Sequence, residues 1–129
     1  MKNVEKKHFK LECILFLSFE LLFFILMMLF IKTGNLIQSI LFCVFCVFIL
    51  TITFIKIYNY IKYIKCTNIL EGEIVKVECF RCYKIMIKHK SEIYVAKYVF
   101  ISSNIKNKVG CKCTFVLSNK RKVCIKDIQ

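Results

Sequence analysis

Residues 36–55 read LIQSILFCVFCVFILTITFI, a run of twenty residues without a charged side chain. A helix rises about 1.5 Å per residue, so a run of this length crosses the ~30 Å hydrocarbon core of a bilayer. Residues 11–31, LECILFLSFELLFFILMMLFI, form a second apolar run with the same reach. The two runs predict transmembrane helices over 11–31 and 36–57.

The segment between the two runs is a short polar turn, Lys32-Thr33-Gly34-Asn35. A turn this short predicts an antiparallel hairpin of the two helices. Hydrophobic residues make up 58% of the 129 residues, against about 45–50% in soluble domains. A chain this small has no soluble core that would cover two helices that are apolar all round. We therefore place the hairpin in a membrane.

Lysines are distributed unevenly around the predicted spans. Four precede the first apolar run, three lie in residues 56–65 directly after the second run, and one lies in the turn. The positive-inside rule then predicts that both the N-terminus and the C-terminus are cytoplasmic. Residues 1–10 are predicted to form a basic N-terminal tail, and residues 58–69 a linker beside the membrane. The lysines predicted to face the lipid are Lys56, Lys62 and Lys65.

From Leu70 onward the hydrophobic period changes from that of a helix to alternation. This pattern predicts five strands, over 73–80, 82–88, 92–101, 111–117 and 122–127. Short strands joined by tight turns are typical of a curled sheet or a small barrel. The predicted fold class is α+β, with a two-helix transmembrane hairpin followed by a small all-β domain over residues 70–129.

Four short motifs mark turns and strand starts in this domain. They are Glu71-Gly72-Glu73-Ile74-Val75, Ser91-Glu92-Ile93-Tyr94, Val109-Gly110-Cys111 and Leu117-Ser118-Asn119-Lys120. They resemble a functionally uncharacterised family of bacterial membrane proteins that pair transmembrane helices with a small C-terminal β domain. The family's Tyr-(Asp/Asn)-Pro motif has no counterpart, because the chain contains no proline. The resemblance implies a multi-pass protein of a bacterial cytoplasmic membrane and supplies no activity.

The chain has nine cysteines, and four of them have a spacing close to that of a zinc site. Cys79 and Cys82 form a CxxC pair, and Cys111 and Cys113 form a CxC pair. Four thiolates suit a closed, tetrahedral Zn²⁺ site. The site requires a turn at residues 80–81 that brings the first pair together. The alternative is that these are buried thiols in a reducing cytoplasm.

Cys43 and Cys46 form a second CxxC pair, inside the second predicted span. Thiols at membrane depth are consistent with a membrane thiol oxidoreductase, which is the one enzymatic alternative. Cysteines spaced i, i+3 in a helix are also ordinary small apolar residues.

Glu20 is an ionisable residue inside the first predicted span. It lies eight residues from Glu12, or roughly 12 Å along a helix. A charge at that depth costs about 2.5–3.5 kcal/mol on insertion scales, so Glu20 is expected to be protonated or to have a partner. Thr51 of the second span and a second copy of the chain are the predicted partners. A proton or ion path is the other explanation, and it requires an oligomer.

Charge indicates the class of partner. After Cys66 there are 13 Lys and Arg against 5 Asp and Glu, a net charge of +8. Such a segment attracts anionic lipid headgroups at the cytoplasmic leaflet. The membrane tether, only two arginines and the lack of an RNA-binding motif argue against nucleic acid.

The sequence contains no Ser/His/Asp set, phosphate-binding glycine loop or paired carboxylates. We therefore predict a non-enzymatic binding or interaction module at the inner face of the membrane. Its expected partners are the bilayer and a protein or a second copy of the chain. An immunity-type protein that acts against a membrane-active peptide is one version of this role. A cofactor, zinc, enters only through the thiol alternative.

Overall fold

The computed structural model describes residues 1–118 and 122–129. The elements are α1 (Val4–Lys32), α2 (Leu36–Lys65), β1 (Ile69–Phe80), β2 (Cys82–His89), β3 (Glu92–Tyr98), a 3-10 helix (Ser103–Lys108), β4 (Lys112–Leu117) and β5 (Val123–Ile128). Two long apolar helices thus precede a five-stranded antiparallel sheet, and the predicted α+β class is confirmed.

The chain divides into two compact units. The first, here called the helical unit, is Leu11–Asn59 and contains most of α1 and α2. The second, here called the β unit, joins Met1–Lys10 to Tyr60–Gln129. The sequence predicts residues 1–10 as a separate tail, whereas the structure packs them with the strands. The reason is that Val4 and Glu5, in the first turn of α1, are buried.

The helical unit is a hairpin of two helices that are both long and apolar enough to cross a membrane. Gly34 in the turn has a φ of +75°, a conformation that glycine adopts without strain. The buried residues of α2 are Ser39, Cys46 and Thr53. They recur every seven residues, which is the spacing of a helix that contacts a neighbour along a single stripe.

The sheet has the strand order β3-β2-β1-β4-β5, and every pair is antiparallel. The long strand β1 is central because it pairs with β4 through its first half and with β2 through its second half. The register shifts between Ile74 and Lys76, which indicates a bulge that bends the strand. The sheet curls so far that the edge strands β3 and β5 approach each other. The result is the curled sheet that the sequence predicts, in the form of a half-barrel.

Two strand boundaries differ from the prediction by more than one residue. β1 begins at Ile69 rather than at residue 73, because residues 69–72 pair with β4. β3 ends at Tyr98 rather than at residue 101, since the backbone N–H of Val99 donates to the His8 ring instead of continuing the strand. The predicted turn at residues 118–120 lies outside the described residues beyond Ser118, and so do Asn119 and Lys120 of the fourth family motif.

The core of the β unit lies inside the curl. Its largest fully buried side chains are Phe115, Ile74, Ile85, Ile87, Ile105 and Ile125. Gly72 of β1 faces this core opposite Cys113 of β4. A β-carbon at Gly72 would lie 2.6 Å from Cγ2 of Ile87 and 2.8 Å from the carbonyl oxygen of Lys88. The second neighbour is backbone, so the contact cannot be relieved by a side-chain rotation.

We expect Gly72→Ala to destabilise the β unit by about 1–3 kcal/mol, which is the usual cost of overpacking a core. Thermal unfolding of the full chain in detergent micelles, followed by the β-sheet signal in circular dichroism, should show a lower midpoint. Glu71→Ala, at the neighbouring exposed position on β1, is the matched control and should leave the midpoint in place. Equal midpoints for the two variants would contradict the close approach at Gly72.

Candidate functional site

Charge is divided sharply between the two units. The helical unit contains two lysines and two glutamates and is neutral. The β unit contains 19 Lys and Arg against six Asp and Glu, and therefore carries the whole net charge of +13. The candidate functional surface is thus on the β unit, while the ionisable groups of the helical unit need a separate explanation.

The first pair of ionisable groups in the hairpin is an interhelical ion pair. Nζ of Lys56 donates to Oε1 of Glu12 at 2.9 Å, with side-chain exposures of 31% and 15%. Lys56 also lies over the ring of Phe16, 5.3 Å from its centroid. The sequence predicts that Lys56 faces lipid headgroups. In the structure it points between the helices, where it neutralises Glu12.

Glu20 lies deeper in the hairpin and is half-buried. Its neighbour on α2 is Cys46, while its Oε2 atom is buried without a hydrogen bond. Thr51 does not contact Glu20, because it is exposed and donates to the carbonyl of Val47 in its own helix at 2.9 Å. Thr51 lies off the buried stripe of α2, whereas Cys46 lies on it.

The four cysteines of the predicted zinc site do not come together. A tight turn does join β1 to β2, but the register pairs Cys79 with Tyr83 and Phe80 with Cys82. Side chains alternate between the faces of a strand, so the two thiols project to opposite faces. Within the described ranges, no group of three or more potential ligands is placed to hold a metal ion.

The second cysteine pair of that site lies elsewhere on the sheet. Cys113 pairs with Gly72, and the carbonyl of Cys111 accepts from the N–H of Ile74. Cys79 lies five positions beyond Ile74 on β1, or roughly 17 Å along an extended chain. In the hairpin, Cys43 is exposed and Cys46 is buried. The arrangement therefore offers no support for the zinc alternative.

The open side of the half-barrel is closed by a buried polar network that sequence reasoning missed. The hydroxyl of Tyr98, in β3, accepts from the backbone N–H of Ile125 in β5 at 2.7 Å and donates to Oε2 of Glu5 at 2.7 Å. Glu5 is 8% exposed and Tyr98 is 2% exposed. We call this group, together with Cys124 beside it, the seam.

Residues 1–8 cover the seam through further contacts. Met1 and Ile128 exchange two backbone hydrogen bonds of 2.7 Å, as two residues of paired strands do. The N–H of Asn3 donates to Asp127 at 2.8 Å. The ring of His8 packs edge-on against Tyr98 with centroids 5.0 Å apart. A sequence signal exists, since Val4, Glu5 and His8 share one helical face, but the four lysines of this segment conceal it.

Burial shifts the pKa values of the groups at the seam and in the core. It raises the pKa of Tyr98 well above its ordinary range, with Glu5 adding to the effect. It raises the pKa of Cys124 to about 12, again with a contribution from Glu5. In the core, burial raises the pKa of Cys113 to about 11. These thiols are held in the protonated form, which is the unreactive one.

We expect Tyr98→Phe to destabilise the chain by about 1–3 kcal/mol, because it leaves the buried N–H of Ile125 without its acceptor and removes the hydrogen bond to Glu5. The midpoint of thermal unfolding in micelles measures the effect. Tyr94→Phe is the matched control, since the Tyr94 hydroxyl donates to Glu92 at an exposed position. If both variants unfold at the same temperature, the hydroxyl of Tyr98 does not hold the seam.

The buried thiols should react slowly and with a steep dependence on pH. Alkylation of the folded chain at pH 7 should modify exposed Cys79 first, whereas the rates at Cys113 and Cys124 should rise about tenfold per pH unit toward pH 11 and 12. Their ordinary pKa is 9.0. Folding thus disfavours the thiolate, and the free energy of unfolding should fall as the pH rises above 9.

Mass spectrometry of the alkylated peptides measures the rate at each cysteine, with a sample unfolded in denaturant as the control. Equal rates for all three cysteines in the folded chain would show that Cys113 and Cys124 are accessible and would contradict the burial described above.

Comparisons of the chain with protein families, with curated proteins and with solved structures give no match. The family resemblance of the four motifs therefore stays a prediction.

Proposed function

We propose that this chain is a two-span protein of a bacterial cytoplasmic membrane whose β unit is a non-enzymatic binding module on the cytoplasmic side. The observation that carries the proposal is the polarity of the helices, which is the reverse of that in a soluble hairpin. Among the described residues, 26 of the 33 exposed large hydrophobic side chains are on α1 and α2. Exposed apolar surface on that scale is typical of contact with lipid.

Inside the spans, the ionisable groups and two of the hydroxyl groups turn inward. The ion pair of Glu12 with Lys56 and the contact of Glu20 with Cys46 lie between the helices. Ionisable residues in membrane spans characteristically face other helices and pair with one another. The hydroxyls of Ser39 and Thr53 donate to carbonyls one turn earlier in their own helix. Every one of these hydroxyls thus has a partner that is independent of water.

The common location of both chain ends supports an even number of spans. Residues 1–10, before the first span, and residues 60–129, after the second, belong to one compact unit. The two helices would therefore leave and re-enter the same side of the membrane. The β unit carries a net charge of +13, while the turn between the helices carries one lysine. The positive-inside rule assigns the β unit to the cytoplasm.

The chemistry of the β unit favours binding over catalysis. Its buried polar groups at the seam bond one another and the backbone, so they serve to close the sheet. The groups left for contact with a partner are exposed lysines and a few exposed apolar side chains, such as Phe80 at the β1–β2 turn, which is 76% exposed. Binding of a membrane-active peptide, as in an immunity-type protein, is one form that this role would take.

Cysteine accessibility tests the proposed topology. We would compare three single-cysteine variants in bacterial spheroplasts, one keeping only Cys79, one with Asn35→Cys and one with Lys2→Cys. A membrane-impermeant maleimide should label the Asn35→Cys variant in intact spheroplasts, because the turn lies on the outer side. The Cys79 and Lys2→Cys variants should be labelled only after lysis.

Labelling of the two ends on opposite sides would overturn the hairpin, and labelling of both ends in intact spheroplasts would invert the topology. If alkaline carbonate extracts the chain into the soluble fraction, the helices do not span the membrane, and the proposal is wrong. As a control, each variant is labelled after solubilisation in detergent, which shows that its cysteine reacts with the maleimide when it is accessible.

A further inference from the structure

We propose that five lysines at the membrane-proximal ends of the helices form a binding site for the headgroups of anionic phospholipids. They are Lys6, Lys7, Lys10, Lys62 and Lys65, here called the lysine collar. The inference rests on the proposed membrane topology and adds a ligand and a site to it. The predicted lipid-facing set is changed, since Lys56 is paired with Glu12 and three N-terminal lysines take its place.

The first half of the collar lies on the outward face of α1. Successive residues of a helix are 100° apart, so Val4, Glu5 and His8 share one side. That side contacts the seam, and Val4 and Glu5 are buried there. The three lysines Lys6, Lys7 and Lys10 occupy the opposite side and are exposed. The contact that buries Glu5 therefore also turns these lysines away from the strands.

The second half of the collar lies on the outward face at the end of α2. Tyr60 and Tyr63 are on the inner side of this helix, and the ring of Tyr60 stacks on Phe9 of α1 with centroids 3.9 Å apart and an interplanar angle of 2°. Lys62 and Lys65 lie on the other side. Because the helices are antiparallel, the stack places Lys7 level with Lys62.

The collar coincides with the expected position of the headgroup layer. Lys10 immediately precedes Leu11, where the apolar run of 21 residues begins, a length of about 31 Å that matches the hydrocarbon core. The five lysines span about 9 Å along the helix axes at 1.5 Å per residue. This is close to the thickness of one interfacial layer, about 5–8 Å, given the length of a lysine side chain.

Apolar side chains among the lysines favour a lipid over a soluble polyanion. Tyr58 is 59% exposed and Ile61 45%, and both lie on the face of α2 that carries Lys62 and Lys65. A tyrosine at this level is typical of the membrane interface. A lysine can lay its stem along such apolar surface while its ammonium group meets a phosphate. A free phosphate or a nucleic acid would leave these apolar side chains in water.

Electron paramagnetic resonance of spin-labelled lipids tests the site on the full chain in reconstituted vesicles. The preference of the protein for spin-labelled phosphatidylglycerol over phosphatidylcholine is measured as the ratio of their association constants. We expect a clear preference that falls at least about fivefold when the five collar lysines are changed to glutamine, because each basic residue near the surface contributes to the attraction.

A matched control removes the same charge elsewhere in the β unit, by changing Lys76, Lys84, Lys88, Lys97 and Lys112 to glutamine. All five are on strands. The control should keep most of the preference of the unmodified chain. An equal loss in both variants would overturn the collar as a site, since net charge alone would then explain the binding. No preference in the unmodified chain would overturn the inference as well.

A second measurement separates this inference from the proposed topology. The labelling assay at Asn35→Cys and Cys79 is repeated on the vesicles, and unfolding midpoints are measured for both lysine variants. Correct insertion without a lipid preference would overturn the collar and leave the topology in place. Failure to insert would overturn both. High salt should weaken a true headgroup preference, because exposed charges are screened over about 10 Å at 0.1 M.

Discussion

The hydroxyl of Tyr98 is the contact on which the arrangement of the β unit depends. A curled sheet that stops short of a closed barrel leaves two edge strands with backbone groups to satisfy, and a buried N–H without a partner is costly. Tyr98 meets this need by accepting from Ile125 across the gap and donating to Glu5. One side chain therefore links β3, β5 and the first turn of α1, which is why residues 1–10 belong to the β unit.

This link has a consequence for the hairpin. Because the start of α1 is bound at the seam, the segment before the first apolar run and the segment after the second lie in one unit. Under the proposed topology, both polar ends of the hairpin would therefore lie on the same side of the membrane. The short turn at Gly34 and the seam at Glu5 thus impose the same constraint from opposite ends of the helices.

The sequence predicts local features well and non-local ones poorly. The helices and the strand β2 follow from periodicity, which is a local property. The start of β1 at Ile69 depends on pairing with β4, over forty residues later, and the role of Glu5 depends on Tyr98, 93 residues away. The depth of Glu20 along its helix follows from its position in the sequence. Whether Cys46 or Thr51 lies beside it depends on which face of α2 contacts α1. The seven-residue spacing of Ser39, Cys46 and Thr53 carries that signal.

The distribution of lysine also has a physical explanation. The composition strongly favours lysine over arginine, and such a bias alone would scatter lysines along the chain. Instead, the 49 residues of the helical unit contain two lysines, while the 80 residues of the β unit contain 17. One of the two, Lys56, is neutralised by Glu12, and the other, Lys32, borders the turn. The net charge is thus zero in the unit of the apolar helices and concentrated in the β unit, as the proposed bilayer around the helices would require.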